Sequence, residues 1–416
     1  MSDTSTTAPS VLVVLVAHDG AAWLTETLDA LEAQSHPAIE VVAVDNASAD
    51  GSRDLLLDRL GEDRVLVADR DLGFPSAVSM ALDARRAPDA PYVLTLHDDL
   101  ALHPDAVAEL VAAIEADPRL AIVGPKLRAW GPSRQLQSVG WTIDITGRAD
   151  SGVDVGELDQ GQRDQDRRCL YVSTAGMLLR REVLEELGRF DPRYHVFRDD
   201  LDLCWRAWLA GHEVEVIPDA VGEHAGGASN YLRLGQTRFL GPRYFAERNT
   251  LQTLLKNYAP LRLLLVVPLF FLVGVAKLLG FLLTRRVSDA YQTLRAWAWN
   301  LLHLRETRRY RREAQARRTR SDAEIAELFG RIGPRIRAYA EAMASWVAGG
   351  DVEAERPLEE QPAEDAHPRR PSLARRVLYL LRRRPTLVAG SALVILVLVA
   401  VWPLLLPGEL RGGELG

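Results

Sequence analysis

Apolar and polar positions follow a regular rhythm along the first two hundred residues. Val11 to Ala17 is an unbroken apolar run, the pattern of a strand buried on both faces, and it stops at His18-Asp19-Gly20. From Trp23 the spacing of Leu24, Leu28 and Leu31 is helical, and His36-Pro37 closes that helix before a second buried strand, Ile39 to Val44. A polar loop, Asp45 to Ser52, carries Ser, Asp and Gly residues suited to turns and helix N-caps, and Leu55 to Leu60 then reads as helix. Val65–Val67 is a short third strand, a helix runs through Ala84, and a strand at 92–96 ends in His97-Asp98-Asp99-Leu100. Strands alternating with helices predict right-handed crossovers and a mostly parallel sheet of the α/β class.

In such a sheet the carboxyl ends of the strands face the ligand crevice, which puts Asp98 and Asp99 where a small molecule binds. Adjacent dehydrated carboxylates need a counter-cation, and a hard divalent ion such as Mg²⁺ or Mn²⁺ is the natural one. No G-x-G-x-x-G follows the first strand and no G-x-x-x-x-G-K-[ST] occurs anywhere, so a bound nucleotide is expected to be held by carboxylates and metal.

Further along, Asp105 to Ala116 reads as helix and Ala121 to Pro125 as strand. Trp130 to Arg168 reads as surface loops and a hairpin over the crevice. An apolar run at 171–179 precedes a short helix, Glu182 to Leu187. The acids Asp199, Asp200 and Asp202 then open an amphipathic helix, where the positive end of the helix dipole stabilises charge. Three acids in four residues exceed what capping requires. Val214 to Pro218 is another strand, with His224 in a flexible loop just after it.

Charge changes the picture beyond the first 240 residues. The net charge of -7 conceals an arginine-rich stretch at 285–384 that follows an acidic first part. Two isolated cysteines, Cys169 and Cys204, suit a reducing compartment and neither a disulfide framework nor a zinc site. Met1 to Ser10 lacks the features of a signal peptide, so the first domain is expected in the cytoplasm. Sparse aromatic interleaving among the arginines argues against nucleic acid as a partner.

Together these motifs resemble glycosyltransferase family 2 over Val11 to Tyr258. The family's D-N-x-S-x-D-G-S loop matches Asp45 to Ser52, its x-G-F segment matches Leu72-Gly73-Phe74, and its Asp-x-Asp-type metal motif falls on His97-Asp98-Asp99. Its acceptor-side segment matches Ala175 to Asp191, and its E/D-D-x-D-L-x-x-R and x-P-x-A-x-x-x-H motifs match Asp199 to Arg206 and Ile217 to His224. The resemblance implies a GT-A fold and a metal-dependent, inverting sugar transfer from a nucleotide-sugar donor to a lipid-linked or cell-envelope glycan acceptor. It implies that Asp45, Asp71 and Asp98 bind the donor nucleotide, that Asp99 and His224 bind the cation, and that Asp200, or its neighbour Asp199, is the general base. The sequence departs from the family at His97, where many relatives have Asp or Asn, at His18-Asp19 and at Ser79. A polyprenyl-phosphate glycosyltransferase and a catalytically silent membrane scaffold are the alternatives.

The expected domain plan is a disordered 1–10, a GT-A domain at 11–258, a membrane-embedded or interfacial segment at 259–284, a basic helical region at 285–348, a disordered linker at 349–374 and a transmembrane helix at 386–406. Leu261 to Leu283 is long enough to cross a bilayer, which takes about 20 residues. It is interrupted by Arg262, Pro268 and Lys277, and a full span would place the arginines opposite the catalytic domain. An interfacial hairpin leaving both flanks in the cytoplasm, its arginines facing anionic membrane lipids, avoids that conflict.

Overall fold

The structure is a computed structural model and describes residues 8–330 apart from 85–86, 155, 166 and 227–240. The linker at 349–374, the transmembrane helix at 386–406 and the end of the basic region therefore lie outside the described residues, as do positions 1–7 of the N-terminus.

The βα rhythm is present as read. Strands β1 (Val11–Ala17), β2 (Ile39–Asp45), β3 (Val65–Val67) and β4 (Tyr92–His97) alternate with helices α1 (Ala21–Glu32), α2 (Ser52–Leu60) and α3 (Phe74–Asp83). These four strands pair in parallel, and β1, buried along its whole length, lies between β2 and β4. Then come β5 (Leu100–Leu102), α4 (Ala106–Ala116), β6 (Leu120–Ala129), β7 (Leu136–Ser138), the small hairpin of β8 (Thr142–Ile143) and β9 (Ala149–Asp150), β10 (Met177–Arg180), α5 (Arg181–Glu186), α6 (Asp199–Ala210) and β11 (Glu213–His224). The sheet order is β3-β2-β1-β4-β10-β6-β11-β5 with β7 beside β6. It is mixed rather than wholly parallel: β10 runs antiparallel to β4 and β6, and β5 antiparallel to β11. One apolar cluster packs on each face.

The connection from β4 to β5 determines the shape of the crevice. Only Asp98 and Asp99 separate the two strands, a reach of about 11 Å at most, yet β5 stands four strand positions away, roughly 19 Å across a flat sheet. The sheet therefore curls, and the long strands β6 and β11 accommodate the bend at the register shift between Ile217 and Val221.

Two readings are corrected here. His224 is not in a flexible loop but ends β11, opposite Leu100 of β5 and Ala129 of β6. The apolar run at 171–179 is strand only from Met177. Gly176, at φ 86°, turns the chain, and Tyr171 to Ala175 lie before the strand.

After the sheet, α7 (Pro242–Asn257), α8 (Pro260–Leu283), α9 (Val287–Leu302), α10 (Leu304–Ala316) and α11 (Asp322–Ala326) complete the described fold. Helix α8 runs back along α7: Arg262 lies over Tyr258, the Lys277 ammonium pairs with Glu247 at 2.8 Å, and Arg243 lies over the Phe281 ring. Helix α9 closes against it where Gly274 leaves room for the Trp297 indole, and Phe271 packs edge-on to the same ring. The segment read as a membrane hairpin is thus a continuous helix followed by a returning one.

Candidate active site at the strand ends

The register of β5 on β11 brings the site together. Because Leu100 pairs with His224, the preceding Asp99 reaches the His224 ring, and the Ala225 N–H donates to the Asp99 carbonyl. His224 Nε2 lies 3.4 Å from Asp99 Oδ1, and His97 Nδ1 lies 3.9 Å from the same oxygen. The three ligand atoms fall within 4.8 Å of one another, a candidate cation site.

The surroundings of both rings fit that purpose. Gln137 donates its amide N–H to the His224 carbonyl and turns its Oε1 to His224 Nδ1 at 2.7 Å, leaving Nε2 with a lone pair toward Asp99. His97 is held through Nε2 by the Thr174 hydroxyl at 3.0 Å, leaving Nδ1 for Asp99. A second partner on the remote ring nitrogen is what fixes a ligating histidine. The sequence reading assigned Asp99 and His224 to metal and recorded His97 only as a departure. Here His97 is the third member, and two imidazoles with one carboxylate form a donor set that suits Mn²⁺ better than the all-oxygen preference of Mg²⁺.

Around this group lies a cavity of about 200 Å³ whose wall includes His18, Asn46, Asp71, Asp98, Asp99 and Asp199. Asp71 accepts from Asn46 Nδ2 at 2.8 Å and pairs with His195 Nε2 at 2.9 Å. Burial pushes the Asp71 carboxyl up, but the His195 ring and the Gly73 N–H outweigh it and bring the pKa down to about 2. Asp45 is buried at the end of β2, accepts the Ser48 N–H and stands behind the cavity, while its neighbour Asn46 faces it. Asp98 is turned to the β1–α1 turn: its Oδ2 accepts the His18 N–H at 2.8 Å and lies 2.0 Å from where a Cβ on Gly20 would stand. His195 and Asn46 escaped the sequence reading, although Asn46 is part of the D-N pair.

Three acids open α6, and the fold assigns them different surroundings. Asp202 faces inward, taking Lys256 Nζ at 2.7 Å and Arg206 Nε at 3.0 Å. Lys256 also reaches Asp191 at 2.8 Å, so the three charges tie α6 and α7 to the segment before them. Asp199 is buried, and among the described residues its Oδ2 has no hydrogen-bond partner. Burial, and then the nearby Asp200 charge, push its carboxyl well above the usual range. Asp200 accepts the Leu201 N–H at 2.7 Å. Burial raises its pKa to about 6, against the lowering effect of that N–H and of Arg198.

Asp200 also lines a second cavity of about 550 Å³, walled by Trp141, Tyr171, Arg198, Arg243 and Glu247. The Trp141 and Tyr171 rings stack at 6.0 Å. Flat aromatic walls of this kind offer apolar surface with a polar edge, the surface a sugar ring packs on.

A curled α/β sheet with a candidate cation-ligand triad and a half-buried carboxylate between two cavities at its strand ends defines a group-transfer enzyme. A sequence model of the family described as "Glycosyltransferase like family 2" matches residues 8–266, more than half of the chain, and the protein belongs to that family. It is a glycosyltransferase with the GT-A arrangement. Over half of its length it is 30% identical to the O-antigen biosynthesis protein RfbC of Myxococcus xanthus, covering 16% of that protein. It is 25% identical, again over half of its length, to the N-acetylglucosaminyl-diphospho-decaprenol L-rhamnosyltransferase of Mycobacterium tuberculosis, covering 73% of that enzyme. Among solved structures, GalNAc-T7 with UDP, GalNAc and Mn²⁺ superposes with a TM-score of 0.46 at 17% identity, over 60% of this chain and 48% of that one.

Proposed function

We propose that the protein transfers a sugar from a nucleotide-sugar donor to a hydroxyl of a lipid-linked envelope glycan, with inversion at the anomeric carbon. The observation that carries this reading is the position of Asp200 in the wall common to the two cavities. The smaller one, with Asn46, Asp71 and the cation ligands, is the donor site, and the larger one, with its aromatic walls, takes the acceptor. Asp200 accepts the proton of the attacking hydroxyl from the side opposite the leaving group. A raised pKa makes it a stronger base than a solvent-exposed carboxylate. Asp199, whose carboxyl burial and the Asp200 charge push well up and which lines only the smaller cavity, is a neighbour and not the base. His97, Asp99 and His224 are the cation ligands, and a bound divalent ion, Mn²⁺ in preference to Mg²⁺, supplies Lewis-acid stabilisation of the departing nucleoside diphosphate. Asn46 and Asp71 hold the nucleotide through N–H and O–H donors, with Asp45 and Asp98 fixing the loops beside it.

The lipid-linked acceptor rests on the mycobacterial relative's name and on α8. That helix has 24 residues, with a mean hydropathy of 2.5 over its most apolar 18-residue window, long and apolar enough to cross a membrane. Lying along α7, it instead supports the interfacial reading. Its two charged interruptions are taken up by the protein, Arg262 over Tyr258 and Lys277 at Glu247, while Leu261, Leu264, Leu272, Leu279 and Leu283 are exposed. Tyr291, Leu294 and Leu302 extend the apolar face onto α9, and Arg285 and Arg286 stand in the turn between the helices. An apolar face of this size beside arginines fits the cytoplasmic surface of an anionic bilayer. The double variant Leu264→Glu/Leu279→Glu changes only exposed positions, and its cosedimentation with anionic vesicles should fall more than about tenfold, since each leucine contributes roughly 1.5–3 kcal/mol on burial. Unchanged sedimentation would remove this face from the reading.

The transfer reading itself is tested by incubating the protein with a panel of nucleotide sugars, Mn²⁺ and a short-chain lipid diphosphate carrying a glycan. One donor should yield a product with inverted anomeric configuration by NMR, and EDTA should abolish its formation. Failure of every donor to bind or react would return the scaffold reading.

A further inference from the structure

We propose that Arg198 is the anion anchor of the acceptor site, holding the phosphate that joins the acceptor's glycan to its lipid. This rests on the acceptor reading above and adds the residue that recognises the lipid-linked class.

Three independent observations carry it. First, Arg198 stands at a junction. It lines the acceptor cavity that contains Asp200 and also a smaller cavity of about 100 Å³ whose far wall is Phe270, Val273 and Lys277 of α8. An acceptor whose hydroxyl lies at Asp200 and whose lipid lies on the apolar face of α8 carries its phosphate between the two, past this guanidinium. Arg198 does not line the donor cavity, although both of its neighbours, Phe197 and Asp199, do.

Second, most of its hydrogen-bonding capacity is not used among the described residues. Nη1 reaches the Tyr171 hydroxyl at 3.3 Å, while Nε is buried and, among the described residues, without a partner. No carboxylate of the described residues forms an ion pair with it. Two other cations of the passage differ in this: Lys277 is paired with Glu247, and Arg243 with Asp289 at 2.8 Å. Glu247, which lines both cavities, is thereby compensated and does not oppose an anion. A planar guanidinium with free N–H groups binds phosphate oxygens in pairs.

Third, the backbone is held in an unfavourable conformation to present it. Phe197 and Arg198 adopt φ of 64° and 68° in succession, both in the left-handed region, immediately before α6. Asn249 donates from its amide to the carbonyls of Val196 and Phe197 and keeps the turn in place. Strain of this kind persists where the surrounding structure enforces it, commonly at ligand-binding positions.

The test compares three acceptors bearing one glycan: a short-chain lipid diphosphate, the corresponding monophosphate and a phosphate-free alkyl glycoside. Wild type should prefer the phosphorylated acceptors through a lower KM. In Arg198→Gln that KM should rise about 10–100-fold, the range expected for losing hydrogen bonds to a charged group, and the preference over the glycoside should collapse. Arg198→Lys should restore part of it. Calorimetry with the nucleoside diphosphate separates the two possible sources of phosphate: its Kd should stay within about twofold of wild type in Arg198→Gln. A fall in nucleotide affinity would assign the guanidinium to the donor and overturn the proposal, as would an equal loss on all three acceptors, which marks a residue that merely shapes the start of α6. Absence of transfer to any acceptor by wild type, with nucleotide binding intact, overturns the acceptor reading and this anchor with it.

Discussion

Asp200→Asn should lower kcat for transfer to a hydroxyl acceptor by on the order of 10²–10⁴-fold, the usual worth of a positioned general base, while leaving nucleotide affinity near wild type. The substitution is nearly isosteric, and its amide oxygen still accepts the Leu201 N–H that Asp200 accepts at 2.7 Å, so the first turn of α6 keeps its geometry. What is lost is the negative charge in the wall between the cavities. The pH profile provides a second readout. A base must be ionised to act, and burial lifts Asp200 to about 6, so activity should be full above that value and fall as pH drops through it. That acid limb should disappear from the residual activity of Asp200→Asn. Asp199→Asn is the control. Burial and the neighbouring charge push the Asp199 carboxyl well up, and it does not line the acceptor cavity, so its amide variant should retain most activity. Severe loss in Asp199→Asn with mild loss in Asp200→Asn would exchange the two roles. Mild loss in both would favour a phosphate acceptor, which needs little help from a base.

Asp99→Ala should cost transfer on the order of 10³-fold or more, because Lewis-acid stabilisation of a leaving group is worth several kcal/mol. Calorimetry should also show nucleoside diphosphate binding that depends on Mn²⁺ in wild type and is insensitive to Mn²⁺ in the variant. Asp99 is 2% exposed and lies nearest both imidazoles, so no neighbouring carboxylate of the triad replaces it. The histidines make the prediction more specific. With two nitrogen donors, Mn²⁺ should support more activity than Mg²⁺ at equal concentration, and His97→Asp, which exchanges a nitrogen donor for oxygen, should narrow that difference. Binding that ignores chelator in wild type, or a wild type that works equally well with Mg²⁺, would count against the triad as the cation site.

Much of this site can be read from local sequence, because the chemistry is concentrated at strand ends and strands announce themselves. The apolar runs at Val11–Ala17 and Tyr92–His97 are long enough, and bounded clearly enough, to locate His18, Asp98 and Asp99 without any tertiary information. The same periodicity located α6 and its three acids. Family resemblance then attached roles to positions that spacing alone leaves equivalent. Local pattern has no means of specifying which way a polar side chain turns at a strand end. Asp45, Asp98 and Asp202 look alike in the sequence, yet one accepts a loop amide, one fastens the first turn while lining the smaller cavity, and one neutralises Lys256.

What the sequence by itself determined is therefore the α/β class, the order of its elements and the short set of acids and histidines from which a site is drawn. Those follow from interactions between residues a few positions apart. Only the tertiary structure decided that β5 crosses to β11 and sets His97, Asp99 and His224 around one point, that Asp200 rather than Asp199 faces both cavities, and that α8 lies along α7 with its charges turned inward. Each of these depends on pairing between segments far apart in the chain. Such pairing is set by sheet curvature and by which faces are buried together, and no window of neighbouring residues contains either.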